Sequence, residues 1–342
     1  MNLWYWVFIA TVLASPGDRN KRFKRCVREC DRSNCRGLVT TWHFQPYDPY
    51  LSFLNWDCFQ DCDYQCQQII TKERIQNNRK IVQFHGKWPF KRIFGIQEFF
   101  STIFSLGNLY PHLKAFFKLK NHISSNSIIN HHLYIIIFSN IVTCLAWTAS
   151  TIFHIRDFLI TERLDYFLAG ATVLSGFYTV FCRLFKLYLP ENSLKFYSFT
   201  FGCLSLYIGH VTRLIVDWSY TYNMQANIFI AILQNLGLYY LCYQLYYQYY
   251  TKPPMSNHSK YTGNLLLPSF FNQSSKLYCL YPLLLSTIIV LGMSLEIFDF
   301  PPIWDLIDAH SLWHLVTIIP VVFGWYDWLI WDIKENIVIK KD

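Results

Sequence analysis

Long apolar stretches separated by short polar breaks are the feature that most constrains how this chain can fold. A helix needs about 20 apolar residues to cross a bilayer, and seven such stretches follow residue 95. Their approximate positions are 96–117, 131–153, 164–185, 195–216, 225–249, 277–298 and 309–331. Hydrophobic residues make up 53% of the chain, which is too apolar for an ordinary soluble protein. The pattern predicts an all-α membrane protein with a bundle of seven transmembrane helices.

The chain before these stretches has a different composition. Residues 1–15 are apolar and end in small residues, which indicates a cleaved signal peptide. No Lys or Arg precedes the apolar core, so an uncleaved anchor is the alternative. Residues 16–95 are rich in charged residues and cysteine and predict a small segment outside the membrane. The transmembrane domain is then expected over 96–331 and a short tail over 332–342.

Six cysteines cluster in the segment that follows the predicted signal peptide. An even, closely spaced set in a secreted context favours disulfides, and these spacings suit two antiparallel helices cross-linked side by side. A nested pairing of first with last is our expectation among fifteen possible pairings. A zinc knuckle is the alternative, although zinc sites favour C-x2-C spacing. The six residues are Cys26, Cys30, Cys35, Cys58, Cys62 and Cys66.

Basic residues in the connecting loops predict the orientation of the bundle. With the amino-terminal segment in the lumen, the first, third and fifth connections and the tail face the cytosol, and these carry most of the loop Lys and Arg. Cytosolic loops are enriched in such residues, so charge and disulfides predict the same orientation. The net charge of +8 is accounted for by these loops, and we expect no nucleic-acid partner.

Polar residues interrupt three of the apolar stretches at one depth. Ser150 and His154 share a helix face near the end of the second span, and Asp165 opens the third. His310 and His314, also four residues apart, open the seventh. In the predicted orientation all five lie at the lumenal ends of their helices. Ionisable groups within spans are costly and call for partners, so we expect these side chains to meet.

Three imidazoles on two helices suit a zinc ion with an open fourth position for water. Zinc lowers the pKa of such water and makes it a nucleophile. Asp165 is the candidate base, because Ser311 occupies the position that holds the base in H-E-x-x-H metalloproteases. Ser150 is a candidate to hydrogen-bond the water or a developing oxyanion. Asp157 and Asp308 are candidate partners of the imidazoles.

Each of these residues also has a purely structural interpretation. A histidine pair four residues apart in a span can serve packing alone, and Ser150 can be a helix-packing serine. Asp157 can pair with Arg156 or Arg163 in its loop. Only the joint placement of the five residues favours a metal site.

The same residues resemble a known group of proteins. S-x3-H, an Asp eleven residues later and a final H-x3-H are similar to the CREST superfamily of seven-span proteins, which includes alkaline ceramidases and the progestin and adiponectin receptors. Within it, the chain resembles the PER-one-like family, which remodels glycosylphosphatidylinositol (GPI) anchors. The matching motifs are NWDCFQDCDYQC, FHGKWPF at 84–90, the stretch 150–167, YTYNMQAN at 220–227 and the stretch 301–315.

The resemblance implies a phospholipase A2-type enzyme that hydrolyses the sn-2 acyl ester of GPI-anchored proteins in the membrane of the endoplasmic reticulum, with the Golgi as the alternative. It implies zinc at His154, His310 and His314, with Ser150 and Asp165 handling water. A ceramidase-like amide hydrolase and a seven-span receptor or scaffold with structural zinc are the other hypotheses. The weak start of the signal peptide is the one departure, and it affects cleavage rather than chemistry.

Overall fold

The computed structural model describes residues 15–251 and 265–337. The predicted signal peptide, apart from its last residue, and the last five residues of the predicted tail therefore lie outside the described residues. The chain divides into two compact units. The first comprises the chain up to Phe100 together with Asp299–Ala309, and the second comprises Ser101–Phe298 and His310–Asp342.

Two helices joined by disulfides form the centre of the first unit. α1 spans Lys21–Cys30 and begins after Asn20, whose side chain accepts a hydrogen bond from the backbone of Arg22. α2 spans Cys58–Gln76 and begins with a reciprocal capping box between Asp57 and Gln60. Both helix starts are therefore encoded locally in the sequence.

The six clustered cysteines are all paired with one another. The disulfides are Cys26–Cys66, Cys30–Cys62 and Cys35–Cys58. This is the nested order expected for two antiparallel helices. Since every one of the six sulfurs is in a disulfide, none is available as a thiolate ligand, and the zinc-knuckle alternative does not apply.

The FHGKWPF motif forms a tight hairpin turn in this unit. His85 and Gly86 have positive φ of 50° and 81°, the combination of a type I′ turn. Phe84 and Lys87 exchange both backbone hydrogen bonds across it. Phe84 is buried against Phe23, with ring centroids 4.7 Å apart. The turn therefore closes the disulfide-linked core.

The segment 299–309 returns to the first unit although it lies between two membrane helices in sequence. The carboxylate of Asp299 accepts hydrogen bonds from the side chains of Gln83 and Trp88 at 3.0 Å. The backbone N–H of Lys91 donates to the carbonyl of Asp305 at 2.8 Å. The FHGKWPF motif and the first part of the 301–315 stretch, which are far apart in the chain, therefore both belong to this unit.

Long helices make up the second unit. Six segments are long and apolar enough to cross a membrane, which agrees with a multi-pass membrane protein. These segments contain α4 (Ser127–Ile155), α5 (Leu159–Leu184), α6 (Ser193–Val216), α7 (Tyr220–Thr251), the short α9 (Ser275–Tyr278) with α10 (Tyr281–Ile297), and α11 (Ala309–Val322) with α12 (Trp325–Asp332). A further short helix, α8, spans Pro268–Phe271.

The first of the seven predicted spans differs from the other six. It forms the helix α3 (Phe99–Lys120), which has 22 residues but does not reach the same apolar content. Its buried face carries small polar side chains, and its last turn carries lysines. The prediction of an all-helical bundle is confirmed, while six of the seven predicted spans meet the criterion of length and hydropathy.

Helix α5 is central to the packing of the second unit. It contacts α4, α6 and α7, while α10 contacts α7 and α12. The last span is broken where Gly324 adopts a positive φ of 98°, which separates α11 from α12. A buried ion pair between Arg183 of α5 and Asp332 of α12, with N–O distances of 2.6 and 2.9 Å, joins these two helices.

Candidate metal centre

Three histidines from two helices meet inside the second unit. His154 lies one residue before the end of α4, and His310 and His314 lie in the first two turns of α11. One ring nitrogen from each can be chosen so that all three lie within 4.8 Å of one another. His154 and His314 are buried, and His310 is partly exposed. The structure therefore brings together the imidazoles that the sequence placed at one depth.

The local sequence explains why these rings face each other. His310 and His314 lie one turn apart, so both point from the same face of α11. The His154 ring centroid lies 5.3 Å from that of His310 and 5.0 Å from that of His314. Nε2 of His310 lies 3.0 Å from Nε2 of His314. The arrangement is a compact triangle of ring nitrogens.

Glu296 contacts Nδ1 of His310, the ring nitrogen that faces away from His314. Its Oε2 lies 2.8 Å from Nδ1 of His310, and its Oε1 accepts a hydrogen bond of 2.8 Å from the hydroxyl of Tyr220. Tyr220 begins α7 and Glu296 lies one residue before the end of α10, so the contact links three helices. A carboxylate bound to the second nitrogen of a histidine is a common arrangement around metal ligands.

Ser105 makes a comparable contact with Nδ1 of His314. Its Oγ lies 2.8 Å from Nδ1 of His314 and 3.0 Å from Oγ of Ser150. Ser105 comes from α3 and Ser150 from α4, so the pair ties both helices to α11. Asn108 of α3 also donates to the backbone carbonyl of His314 at 2.7 Å. Ser150 is thereby connected to the histidine group through Ser105.

For neutral imidazoles, these contacts indicate which nitrogens carry protons. An ionised carboxylate only accepts, so the proton of His310 lies on Nδ1 facing Glu296, and the lone pair lies on Nε2. Ser105 donates its one proton to the carbonyl of Ser101 at 2.7 Å, so its oxygen accepts from Nδ1 of His314. Two Nε2 lone pairs then lie 3.0 Å apart. A cation between them stabilises such an arrangement.

A zinc ion fits this donor set. Tetrahedral zinc with Zn–N bonds of about 2.0–2.1 Å places neighbouring ligand nitrogens about 3.3 Å apart, close to the 3.0 Å between Nε2 of His310 and Nε2 of His314. Both assigned tautomers present Nε2, and their Nδ1 atoms are held by a carboxylate and a hydroxyl, as zinc ligands usually are. The three residues that could hold the ion are His154, His310 and His314.

The three carboxylates that the sequence analysis expected near the histidines belong to different segments of the chain. Asp165 is half-buried in the second turn of α5, and Asp157 is half-buried in the connection between α4 and α5. Asp308 is buried and belongs to the first unit. The 4.8 Å group among the described residues comprises the three histidines. The roles of Asp165, Asp157 and Asp308 stay predictions.

Two residues of the site were missed by reasoning from sequence, namely Glu296 and Ser105. Glu296 is the one acidic residue in the apolar segment 275–297, and an acid in such a segment is a signal for function. Ser105 belongs to a row of polar residues on α3, with Ser101, Asn108 and His112 on the same helix face. Neither signal identifies its partner, because the partner lies on another helix.

A multi-pass helical membrane protein with a three-histidine site among its helices is the class that these observations define. A family model described as the Per1-like family matches residues 49–333. Protein PER1 of Saccharomyces cerevisiae is 41% identical, covering 94% of this chain and 92% of the yeast protein. The chain belongs to the Per1-like family, as the motifs indicated.

Two animal relatives show a similar degree of likeness along the whole chain. The Xenopus laevis protein named "GPI-specific phospholipase A2-like PGAP3" is 32% identical over 94% of this chain and 92% of its own length. The Drosophila melanogaster "Post-GPI attachment to proteins factor 3" is 32% identical over 93% of this chain and 89% of its own length. No solved structure matches the chain.

Proposed function

We propose that this protein remodels GPI anchors as a zinc-dependent hydrolase of the sn-2 acyl ester of GPI-anchored proteins. The names of its relatives, which refer to attached GPI and to a GPI-specific phospholipase A2, support the substrate class. The observation that carries the chemistry is the triangle of His154, His310 and His314, within 4.8 Å of one another. Its substrates are GPI-anchored proteins in the membrane, and no nucleic acid takes part.

Each residue of the site has a role in this proposal. The three histidines hold zinc, which when bound polarises the ester and lowers the pKa of a water molecule. Glu296 and Ser105 fix the orientation and tautomer of His310 and His314. Ser150 accepts a hydrogen bond from the attacking water, or turns its hydroxyl proton from Ser105 to the developing oxyanion, and Asp165 accepts the proton of the water. Asp157 and Asp308 remain candidate partners of the imidazoles.

The number of protein ligands distinguishes a catalytic zinc site from a structural zinc site in a receptor or scaffold. Structural zinc sites are usually closed by four protein ligands, whereas catalytic sites use three and leave one position for water. Among the described residues, the group whose ligand atoms lie within 4.8 Å of one another consists of three histidines. That count supports a catalytic site.

We place the protein in the membrane of the endoplasmic reticulum, or alternatively of the Golgi, with its amino terminus in the lumen. The disulfides of the first unit support an oxidising compartment. In this orientation the histidine site lies toward the lumenal leaflet, where an anchored substrate presents its ester.

The decisive experiment replaces ligands and examines the lipid of a GPI-anchored reporter by mass spectrometry. We expect His154→Ala and His310→Ala to lower loss of the sn-2 chain by more than about 100-fold, since even replacing partners of metal ligands costs about 10–100-fold. His210→Ala is the matched control, because this partly buried imidazole on α6 lies outside the three-histidine group. Normal loss of the sn-2 chain in both ligand variants would refute the proposal.

Elemental analysis of the purified protein separates the alternatives. We expect one zinc per wild-type chain and loss of zinc in His310→Ala. Zinc retained together with no hydrolysis of any lipid would favour the scaffold. Hydrolysis of ceramide in place of GPI lipid would favour the amide hydrolase.

A further inference from the structure

An internal cavity of about 310 Å³ lies between the helices of the second unit. Side chains of α3, α4, α5, α7, α10, α11 and α12 line it. Its volume falls in the range of ligand pockets in proteins, about 300–1,000 Å³. Most of its surface is apolar, with a small number of polar groups. The cavity is therefore large enough to take a ligand.

The cavity continues the helix faces that carry the histidine site. On α4 its lining includes His132, Ile136, Thr143 and Trp147, and the same face continues through Ser150 to His154. On α11 it includes Trp313, three residues after His310, and Thr317, three residues after His314. The Trp147 ring lies 5.3 Å from that of His314. The site therefore stands at one end of the cavity.

The cavity is long and its walls suit a hydrocarbon chain. From Trp147 to His132 the helix rises about 22 Å, which exceeds the ~15 Å that the acyl chains of one leaflet occupy. The hydroxyls of Thr143, Thr179 and Thr317 are bonded to backbone carbonyls of their own helices. Since these protons are already donated, the threonines can offer their methyl groups to an occupant.

The far end of the cavity is polar. The buried pair of Arg183 and Asp332 lines it there, one turn beyond Thr179 on α5. Nδ1 of His132 and Nε1 of Trp328, both buried, have no hydrogen-bond partner within the described part of the chain. Such groups favour contact with water, and covering them with the methyl end of a hydrocarbon chain costs free energy. A hydrocarbon chain therefore stops at this end, which we call the polar floor.

A larger groove of about 630 Å³, which we call the outer groove, lies between α4, α5 and α6. It is an alternative binding position for an acyl chain. Its lining on α4 runs from His131 to Val142. Val142 lies twelve residues before His154, which is about 18 Å along the helix. On α4 the cavity comes closer to the histidines than this groove does, because the cavity lining includes Trp147 and the groove lining ends at Val142.

We propose that the internal cavity binds the acyl chain that is cleaved, and that the polar floor limits the length of that chain. This inference rests on the proposed function, since it assigns a subsite to the same hydrolase. The ester lies at the histidines, the chain extends past Trp147 and Trp313, and its methyl end lies above Arg183 and Asp332. The residues at the floor thereby determine chain-length specificity.

The test shortens the cavity from its floor. Thr179→Phe places a ring one turn above Arg183, and helix side chains point back toward the amino terminus, here toward the site. The probes are GPI-anchored peptides whose anchors carry stearoyl or octanoyl at sn-2. We expect about 10-fold or greater loss of stearoyl hydrolysis, with octanoyl hydrolysis close to wild type. Ala171→Phe, on the same helix but lining the outer groove, is the matched control and should keep the wild-type ratio.

The outcomes separate the two proposals. If wild type cleaves neither lipid, the hydrolase itself is refuted. If wild type cleaves both and Thr179→Phe leaves their ratio unchanged, or Ala171→Phe changes it instead, the assignment of the cavity is overturned while the hydrolase stands.

A binding measurement on the wild-type protein covers the case in which Thr179→Phe fails to fold. A fatty acid with a diazirine at its methyl end is photolysed with the purified protein, and the labelled peptides are identified by mass spectrometry. We expect labels near Thr179 on α5 and Leu238 on α7, which line the cavity. Labels on α6 near Cys203, which lines the outer groove, would overturn the inference.

Discussion

At the scale of single residues, Glu296 shows how a position without a motif can control a site. Its carboxylate accepts from both His310 and Tyr220, at 2.8 Å each. The first contact assigns the imidazole proton to Nδ1, and the second restrains the carboxylate itself. Glu296 is thus a positioning residue that acts through His310, and its effect should appear in metal binding as well as in activity.

Glu296→Gln should weaken zinc binding by about 10–100-fold, because the amide cannot replace the charge that supports a metal ligand. The measurement is the zinc dissociation constant of purified protein in competition with a chelator. Glu335→Gln, at an exposed acid of the final helical turn, is the control and should bind zinc as wild type does. An unchanged dissociation constant in Glu296→Gln would show that its contact with His310 has no positioning role.

At the scale of helices, the pair of Arg183 and Asp332 joins α5 to α12. Both side chains are almost fully buried, and the carboxylate also accepts from Asn336 at 2.9 Å. The two guanidinium contacts are parallel, which gives the pair a fixed geometry. A buried charge that loses its partner is strongly destabilising, whereas removal of both charges costs much less.

Arg183→Leu alone should therefore lower the free energy of unfolding by about 3–5 kcal/mol, and the double variant Arg183→Leu/Asp332→Leu by clearly less. Denaturation of the protein in detergent gives the comparison. The partly exposed pair of Arg213 and Asp217 at the end of α6 is the control, since breaking it should cost about 0.3–0.5 kcal/mol. Equal losses in the single and double variants would contradict this account.

At the scale of the whole molecule, the disulfide-linked unit and the loop charges predict one orientation in the membrane. Leu38 and Val39 lie in an exposed loop of the first unit, followed by Thr40. The sequence contains two natural glycosylation sequons, at Asn257 and Asn272, and both fall in the connection predicted to face the cytosol.

Leu38→Asn creates a sequon at 38–40 and should produce one glycan, seen as a mobility shift removed by endoglycosidase H. The wild-type protein should show none, because its two sequons do not reach the lumen. The control is Leu38→Gln, which alters the same position without creating a sequon. A glycan on the wild-type chain that disappears in Asn272→Gln would reverse the orientation.

Much of the fold could be predicted because it depends on local patterns. Six spans follow from runs of apolar residues, and the disulfides have the nested pairing that was expected among the fifteen possible ones. The stretch 96–117 was predicted as an apolar span like the other six, but the polar face of α3 lowers its hydropathy. That face is explained by the site, since it supplies Ser105 and Asn108 to His314.

The sequence by itself determined which helices form and which three imidazoles share a depth. Both depend on residues close together in the chain, through the helical repeat and the thickness of the bilayer that one apolar stretch must cross. Only the tertiary structure decided that Glu296 and Ser105 hold those imidazoles and that a cavity follows the same faces to Arg183 and Asp332. Such contacts depend on how each helix is rotated against its neighbours. The packing of all the helices fixes that rotation jointly, and no single stretch of sequence encodes it.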